Sequence, residues 1–183
     1  MNAFDFFLFE WLNGLVLRWP WFDAVVILAG KKLPYGVGIA FAVLFLLPIF
    51  PRFRQRAWKN LEMFFVALGG AIIARLVVAG AIRYFYDRPR PFEVVDNARQ
   101  LIDHAIGASF PSGHAVFFFA LAAGIWPYYK KTSAAFFGAA MLVSIGRIMG
   151  GVHWPSDIIA GAILGIATTG LLVMATRRIR SES

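Results

Sequence analysis

The chain has 183 residues and a formal net charge of +8; 60% of its residues are hydrophobic and 15% are charged. Soluble domains carry roughly 45–50% apolar and about 25% charged residues, so this balance excludes a disordered chain and argues against an ordinary soluble globule. A single-domain polytopic membrane protein is the simple class that remains, and a mean hydropathy of +0.68 agrees.

In chain order, the first 20 residues lack the basic start, apolar centre and small-residue cleavage site of a signal peptide, and they carry Asp5, Glu10 and Arg18. No cleavable signal is expected. Phe4, Phe6, Phe7, Leu8, Trp11, Leu12, Leu15 and Leu17 predict a helix with a wide apolar face, interrupted by Asp5 and Glu10. Such a helix suits the interface plane, and residues 1–30 are read as an N-terminal interfacial segment with Trp19 and Trp21 in an aromatic belt. Residues 23–30 are apolar but too short to cross. They either re-enter the membrane or continue through Lys31 and Lys32 into the first span.

A spanning helix needs about 20 mostly apolar residues. Residues 33–51, 61–82, 113–129, 132–150 and 158–176 meet or approach that length with few charges. The expected fold is all-α: a bundle of five to six transmembrane helices plus the interfacial helix, one membrane-embedded domain over 1–183 with its catalytic core in 60–176. Arg52, Arg54, Arg56, Lys59, Lys130, Lys131, Arg177, Arg178 and Arg180 then share one side. Short basic loops stay inside, so that side is read as cytoplasmic. The positive charge is assigned to topology and anionic lipid, not to nucleic acid.

The opposite, outward side collects the polar residues that can do chemistry. Arg83, Arg90 and Pro91 end one span, Pro111, Ser112, Gly113 and His114 open the next, and Arg147, His153 and Asp157 flank the last junction. Three guanidiniums at one depth suit a tetrahedral oxyanion, because Arg forks onto phosphate oxygens and keeps its charge. Pro111 and Ser112 read as a helix start with the serine as cap. A helix N-terminus offers free N–H groups to phosphate, and Gly113 would let a ligand approach the backbone closely. Of two histidines at this level, one can attack phosphorus while the other protonates the leaving oxygen. Asp157, four residues after His153, is placed to orient its imidazole.

These motifs resemble those of the type 2 phosphatidic acid phosphatase family, the membrane branch of a superfamily that includes vanadium haloperoxidases. The family carries a Lys, six residues, then Arg-Pro; then Pro-Ser-Gly-His; then Ser-Arg, five residues, His, three residues, Asp. Here these read Arg83 to Arg90-Pro91, Pro111-Ser112-Gly113-His114, and Gly146-Arg147 to His153 to Asp157. The resemblance implies that His153 is the nucleophile that becomes phosphohistidine, Asp157 its partner and His114 the general acid. Arg83, Arg90 and Arg147 would hold phosphate, with Ser112 and the Gly113 amide. It implies no metal and no cofactor. Arg83 stands where Lys is usual and Gly146 where Ser is usual, which puts their local hydrogen bonds in question.

Within the family, Arg88-Pro-Arg-Pro-Phe92 and Ala108-Ser-Phe-Pro-Ser-Gly-His114 are similar to the bacitracin-resistance type of undecaprenyl diphosphate phosphatase. The resemblance implies a lipid phosphate or diphosphate substrate, and a bacterial cytoplasmic membrane with the site facing out. Phosphatidylglycerophosphate, phosphatidic acid and lipid A phosphatases share the motifs, and a non-enzymatic lipid-binding or transport protein is the rival from another class. A haloperoxidase is disfavoured because those relatives are soluble. Four residues stay open. His104 matches no motif and reads as a loop residue. Arg88 and Arg99 contact either a second phosphate or head group, or solvent. Arg75, inside a span, is costly there and either functional or structural. Gly161 and Gly165, with Ala160 and Ala167, read as a helix-packing stripe.

Overall fold

The computed structural model describes residues 3–182; the side chains of Arg180 and Glu182 lie outside the described part. Among the described residues there is no strand. An N-terminal helix, α1 (Ala3–Asn13), precedes the helical runs α2 (Pro20–Ile49), α3 (Pro51–Phe85), α4 (Gly113–Ile125), α5 (Lys130–Met149) and α6 (Pro155–Glu182). Four of these, α2, α3, α5 and α6 through Ile179, are long and apolar enough to cross a membrane. The expected all-α membrane bundle is therefore present.

Residues 23–30 do not re-enter. They run into the first span through a π-helical stretch, Leu28–Lys32, so that Pro20–Ile49 is one helical run. Its joint is held by a glycine crossing. A Cβ on Gly146 would stand 2.6 Å from the Gly30 nitrogen, and one on Gly30 would stand 2.9 Å from the Gly146 carbonyl carbon. Only two glycines let these backbones meet. The absent serine at position 146 thus has a packing cause: its side chain would occupy the space of the α2 backbone.

α4 is the central helix. At 1.5 Å per residue it is about 20 Å long, shorter than the roughly 30 Å hydrocarbon core. Ala115, Val116, Phe118, Phe119, Ala120, Leu121, Ala122, Gly124 and Ile125 are all buried, against α3, α5 and α6. Asp157, Gly161, Gly165 and Thr169 recur every four residues on α6 and are buried. Four-residue spacing keeps them on one face. A Cβ on Gly161 would lie 2.9 Å from the Ser112 carbonyl oxygen, and one on Gly165 would overlap that of Val116. The small-residue stripe is a packing seam, except that Ala167 is exposed.

α1 reverses the usual polarity of a surface helix. Asp5, Phe9 and Asn13, at i, i+4 and i+8, face the protein, whereas Phe7 and Trp11 are 73% and 61% exposed. Asn13 explains its own burial: its Nδ2 donates to the carbonyls of Met149 and Arg99 at 2.8 Å each, and its Oδ1 accepts from the Arg99 amide at 2.8 Å. The acid expected to interrupt the apolar face is in fact the helix's grip on the bundle.

Candidate active site

At one end of the bundle the three motif segments converge. The Ser112 amide donates to the Asp157 carbonyl at 3.0 Å, joining the start of α4 to the start of α6. Arg83 donates from Nη2 to the Pro111 carbonyl at 2.6 Å. Arg90 donates to the carbonyls of Val152 at 2.9 Å and Ala108 at 3.2 Å. Helix ends thereby bring Arg83, Arg90, Arg147, Ser112, Gly113, His114, His153 and Asp157 to one level, as their spacing predicted.

His153 is 2% exposed and Asp157 0%. The His153 Nδ1 and the Asp157 Oδ2 are 3.4 Å apart, while that oxygen accepts the Trp154 amide at 2.8 Å. The carboxylate is thus fixed in the first turn of α6 and faces the imidazole. Burial, then the charges of Arg147 and Arg90, push the His153 pKa well below the ordinary histidine range, so this imidazole is neutral at pH 7. Neutral imidazole has a lone pair available for attack; the charged form does not.

Several polar atoms here are buried without a hydrogen-bond partner among the described residues: Nε of Arg83, Arg90 and Arg147, Nη2 of Arg147, Oγ of Ser112, and Nδ1 of His153, which faces Asp157 at 3.4 Å without a hydrogen bond. Ser112 does occupy the N-cap position of α4, with extended backbone, but its hydroxyl makes no capping bond. Unpaired buried donors are costly and few in native proteins. Collected around a helix start, they form a ready receptor for an oxyanion.

Four residues outside the assigned set belong to this region. Arg88 is not solvated. It donates to Asp157 Oδ1, Asp5 Oδ2 and Ser156 Oγ, each at 2.7 Å, and lies over the Trp154 ring, 5.4 Å from its centroid. Asp5 in turn accepts the Ser156 amide at 2.8 Å and its hydroxyl at 2.6 Å. It caps α6 from another helix, as an acid at a helix start should. Burial opposes ionisation of Asp5, but the bonds from Ser156 and Arg88 outweigh it and hold its carboxyl below the usual range. The His104 ring stands 6.3 Å from that of His153. Arg75 lies against the start of α4: a Cβ on Gly113 would overlap its guanidinium. The close approach expected at Gly113 is taken by this side chain. Arg99, by contrast, is structural, donating to the carbonyls of Gly14 at 3.0 Å and of Val16.

The fold and this receptor define an integral membrane protein built to handle an oxyanion at one end of a helix bundle. The PAP2 superfamily model matches residues 64–181, more than half of the chain, and the chain belongs to that superfamily. It is a membrane lipid phosphatase. It is 31% identical over 160 residues to the bacitracin transport permease protein BcrC of Bacillus licheniformis, covering 86% of this chain and 73% of that one. It is 33% identical over 94 residues to the undecaprenyl-diphosphatase BcrC of Bacillus subtilis strain 168, covering 51% and 48%. Among solved structures it resembles Aquifex aeolicus LpxE, with a TM-score of 0.74, 26% identity and coverage of 94% and 96%.

Proposed function

We propose that the protein hydrolyses the terminal phosphate of a lipid diphosphate, undecaprenyl diphosphate above all, without a metal and through a phosphohistidine. His153 Nε2 attacks the terminal phosphorus while Asp157 holds Nδ1. The bond to the bridging oxygen breaks, and His114, which takes up a proton once the anionic substrate offsets the surrounding guanidiniums, supplies that oxygen's proton. Arg83, Arg90 and Arg147, with the Ser112 hydroxyl and the Gly113 amide, hold the non-bridging oxygens. Fixed donors of this kind are worth most where charge develops in a dry site. Water then attacks the phosphohistidine, with His114 taking back a proton. The observation that carries this reading is the buried imidazole of His153, facing Asp157 and set among guanidinium nitrogens that have no hydrogen-bond partner among the described residues.

The undecaprenyl substrate is supported by the similarity to the undecaprenyl-diphosphatase BcrC of Bacillus subtilis. An outward-facing site in a bacterial cytoplasmic membrane is supported by the basic loops. Lys59 and Arg177 line one cavity with Tyr128 at the end away from His153. Cysteine labelling tests the orientation: residue 97 is expected outside and residue 55 inside, and the reverse would sink it.

The central experiment is phosphate release by purified protein in detergent with EDTA. The panel is undecaprenyl diphosphate, phosphatidylglycerophosphate, phosphatidic acid and lipid A, with wild type and His153→Ala. Preference for the diphosphate, lost in the variant, is expected. Preference for another lipid would overturn the substrate and keep the chemistry. Release by His153→Ala near the wild-type rate would overturn the nucleophile. No release from any lipid would favour a transport role.

A further inference from the structure

Arg75 is a cation in the middle of an apolar run that no motif explains. It sits on α3 in a π-helical stretch, Ile73–Val78, a local irregularity that recurs at functional sites. It precedes Arg83 by eight residues, about 12 Å along the helix axis, and so lies deeper in the bundle. Its guanidinium rests on the start of α4, where a Cβ of Gly113 would be. Its charge acts on His114, Arg83 and Arg147. Among the described residues it has no hydrogen-bond or ion-pair partner, and Asp157, the buried carboxylate of the site, is engaged by Arg88. A charge at such depth is rare without a partner or a function.

Its position relative to the two histidines is informative. Its guanidinium lies against Gly113, the residue immediately before His114 at the start of α4. Arg75 therefore stands beside the proposed proton donor. That is the side of the leaving group and of the lipid tail.

We infer that Arg75 binds the second, lipid-proximal phosphate of a diphosphate substrate and thereby selects lipid diphosphates over monoesters. The inference rests on the proposed reaction. When the His153 Nε2–phosphorus bond forms and the bond from that phosphorus to the bridging oxygen breaks, the electron pair leaves with the proximal phosphate. His114 delivers a proton to that bridging oxygen, and the departing phosphate still carries the negative charge of its non-bridging oxygens for Arg75 to hold while the bond breaks, where added stabilisation raises the rate. A monoester leaves as an alcohol once His114 has protonated it, and gives Arg75 no charge to hold. An Arg fork fits a phosphate in two bonds, which a Lys point charge does not.

The test compares farnesyl diphosphate with farnesyl phosphate, identical in tail, in detergent free of phospholipid. Wild type, Arg75→Lys and Arg75→Gln are each first shown to elute as folded, monodisperse protein. The ratio of kcat/KM for diphosphate to that for monophosphate is expected to fall about 30-fold to 100-fold in Arg75→Gln and about 10-fold in Arg75→Lys. A ratio unchanged in both variants would overturn the inference and mark Arg75 as a lipid-facing or packing residue. A wild type that does not favour the diphosphate would overturn the substrate reading itself, a result visible before any variant is made. Competition by pyrophosphate and orthophosphate gives a second reading that needs no turnover. Pyrophosphate is expected to inhibit wild type more tightly, and Arg75→Lys is expected to narrow that gap. An equal gap in both would count against the inference.

Discussion

The two walls of the site handle charge in opposite ways. On one wall Asp5, Arg88, Ser156 and Asp157 form a closed network in which each charged group meets a partner at 2.7 Å. On the other, Arg75 has no partner among the described residues, and Arg83 and Arg147 keep buried nitrogens without one. The paired wall spends its charges on geometry: it fixes the first turn of α6, and with it the carboxylate that faces His153. The unpaired wall keeps its charges available for a ligand. The difference separates residues that fix position from residues whose guanidinium nitrogens stay open to a ligand, although arginines stand on both walls.

Breaking the unpaired wall has the largest expected effect. Arg147→Ala should lower kcat/KM by about 10²-fold to 10³-fold, the cost of losing one donor aimed at developing charge, measured as phosphate release. A loss below about threefold would remove Arg147 from that wall. Breaking the paired wall should be milder and of another kind. Asp5→Asn should reduce kcat by about 10-fold while KM stays within about twofold, because it misplaces Asp157, the partner of the proposed nucleophile, without touching substrate. An increase in KM alone would contradict a positioning role. Asp5→Ala should also lower stability by about 3 kcal/mol, since a buried pair loses one member.

A third prediction sharpens the contrast through pH. The His153 pKa lies well below its ordinary range because of burial and the Arg147 and Arg90 charges. A depressed histidine pKa means the neutral form persists as pH falls through 6.5, and protonation sets in only well below it. Histidine-labelled protein titrated by NMR should show this, and Arg147→Gln should move the titration upward by removing a like charge. A wild-type His153 that titrates near 6.5 would break the argument. The smallest effect is expected at the α2–α5 crossing. Gly146→Ser restores the usual family residue but overpacks the joint with Gly30, so thermal unfolding in detergent should show a loss of about 1–3 kcal/mol and no gain in activity.

The sequence made the bundle and the unpaired wall legible for a physical reason. Spans follow from hydropathy, and the residues at their ends share a depth whatever the tilt. His114, His153, Asp157 and the three motif arginines needed only that parity. The paired wall was hidden because its central bond joins residues 83 positions apart. Asp5 read as a flaw in an apolar face, since nothing local says that the flaw is the buried side. Arg88 differs from its neighbour Arg90 by two positions and by everything it touches. Arg75 was visible as an anomaly, but only the overlap with Gly113 places its guanidinium at α4. Gly146 read as a missing hydroxyl, and its meaning depended on Gly30, more than a hundred residues away. The length of α2 was likewise ambiguous, because periodicity does not distinguish a re-entrant piece from a helix extended through a π-helical joint.

The inverted polarity of α1 has a consequence for anyone handling this protein. One face of that helix caps α6 through Asp5, and the other presents Phe7 and Trp11 outward. The solvent that surrounds the bundle therefore holds the outer side of the clamp. A harsh short-chain detergent that solvates those aromatic rings separately from the bundle would loosen the cap while leaving α2 to α6 associated. Such a preparation would look intact by size and helicity yet turn over slowly, and return to a bilayer would restore its rate.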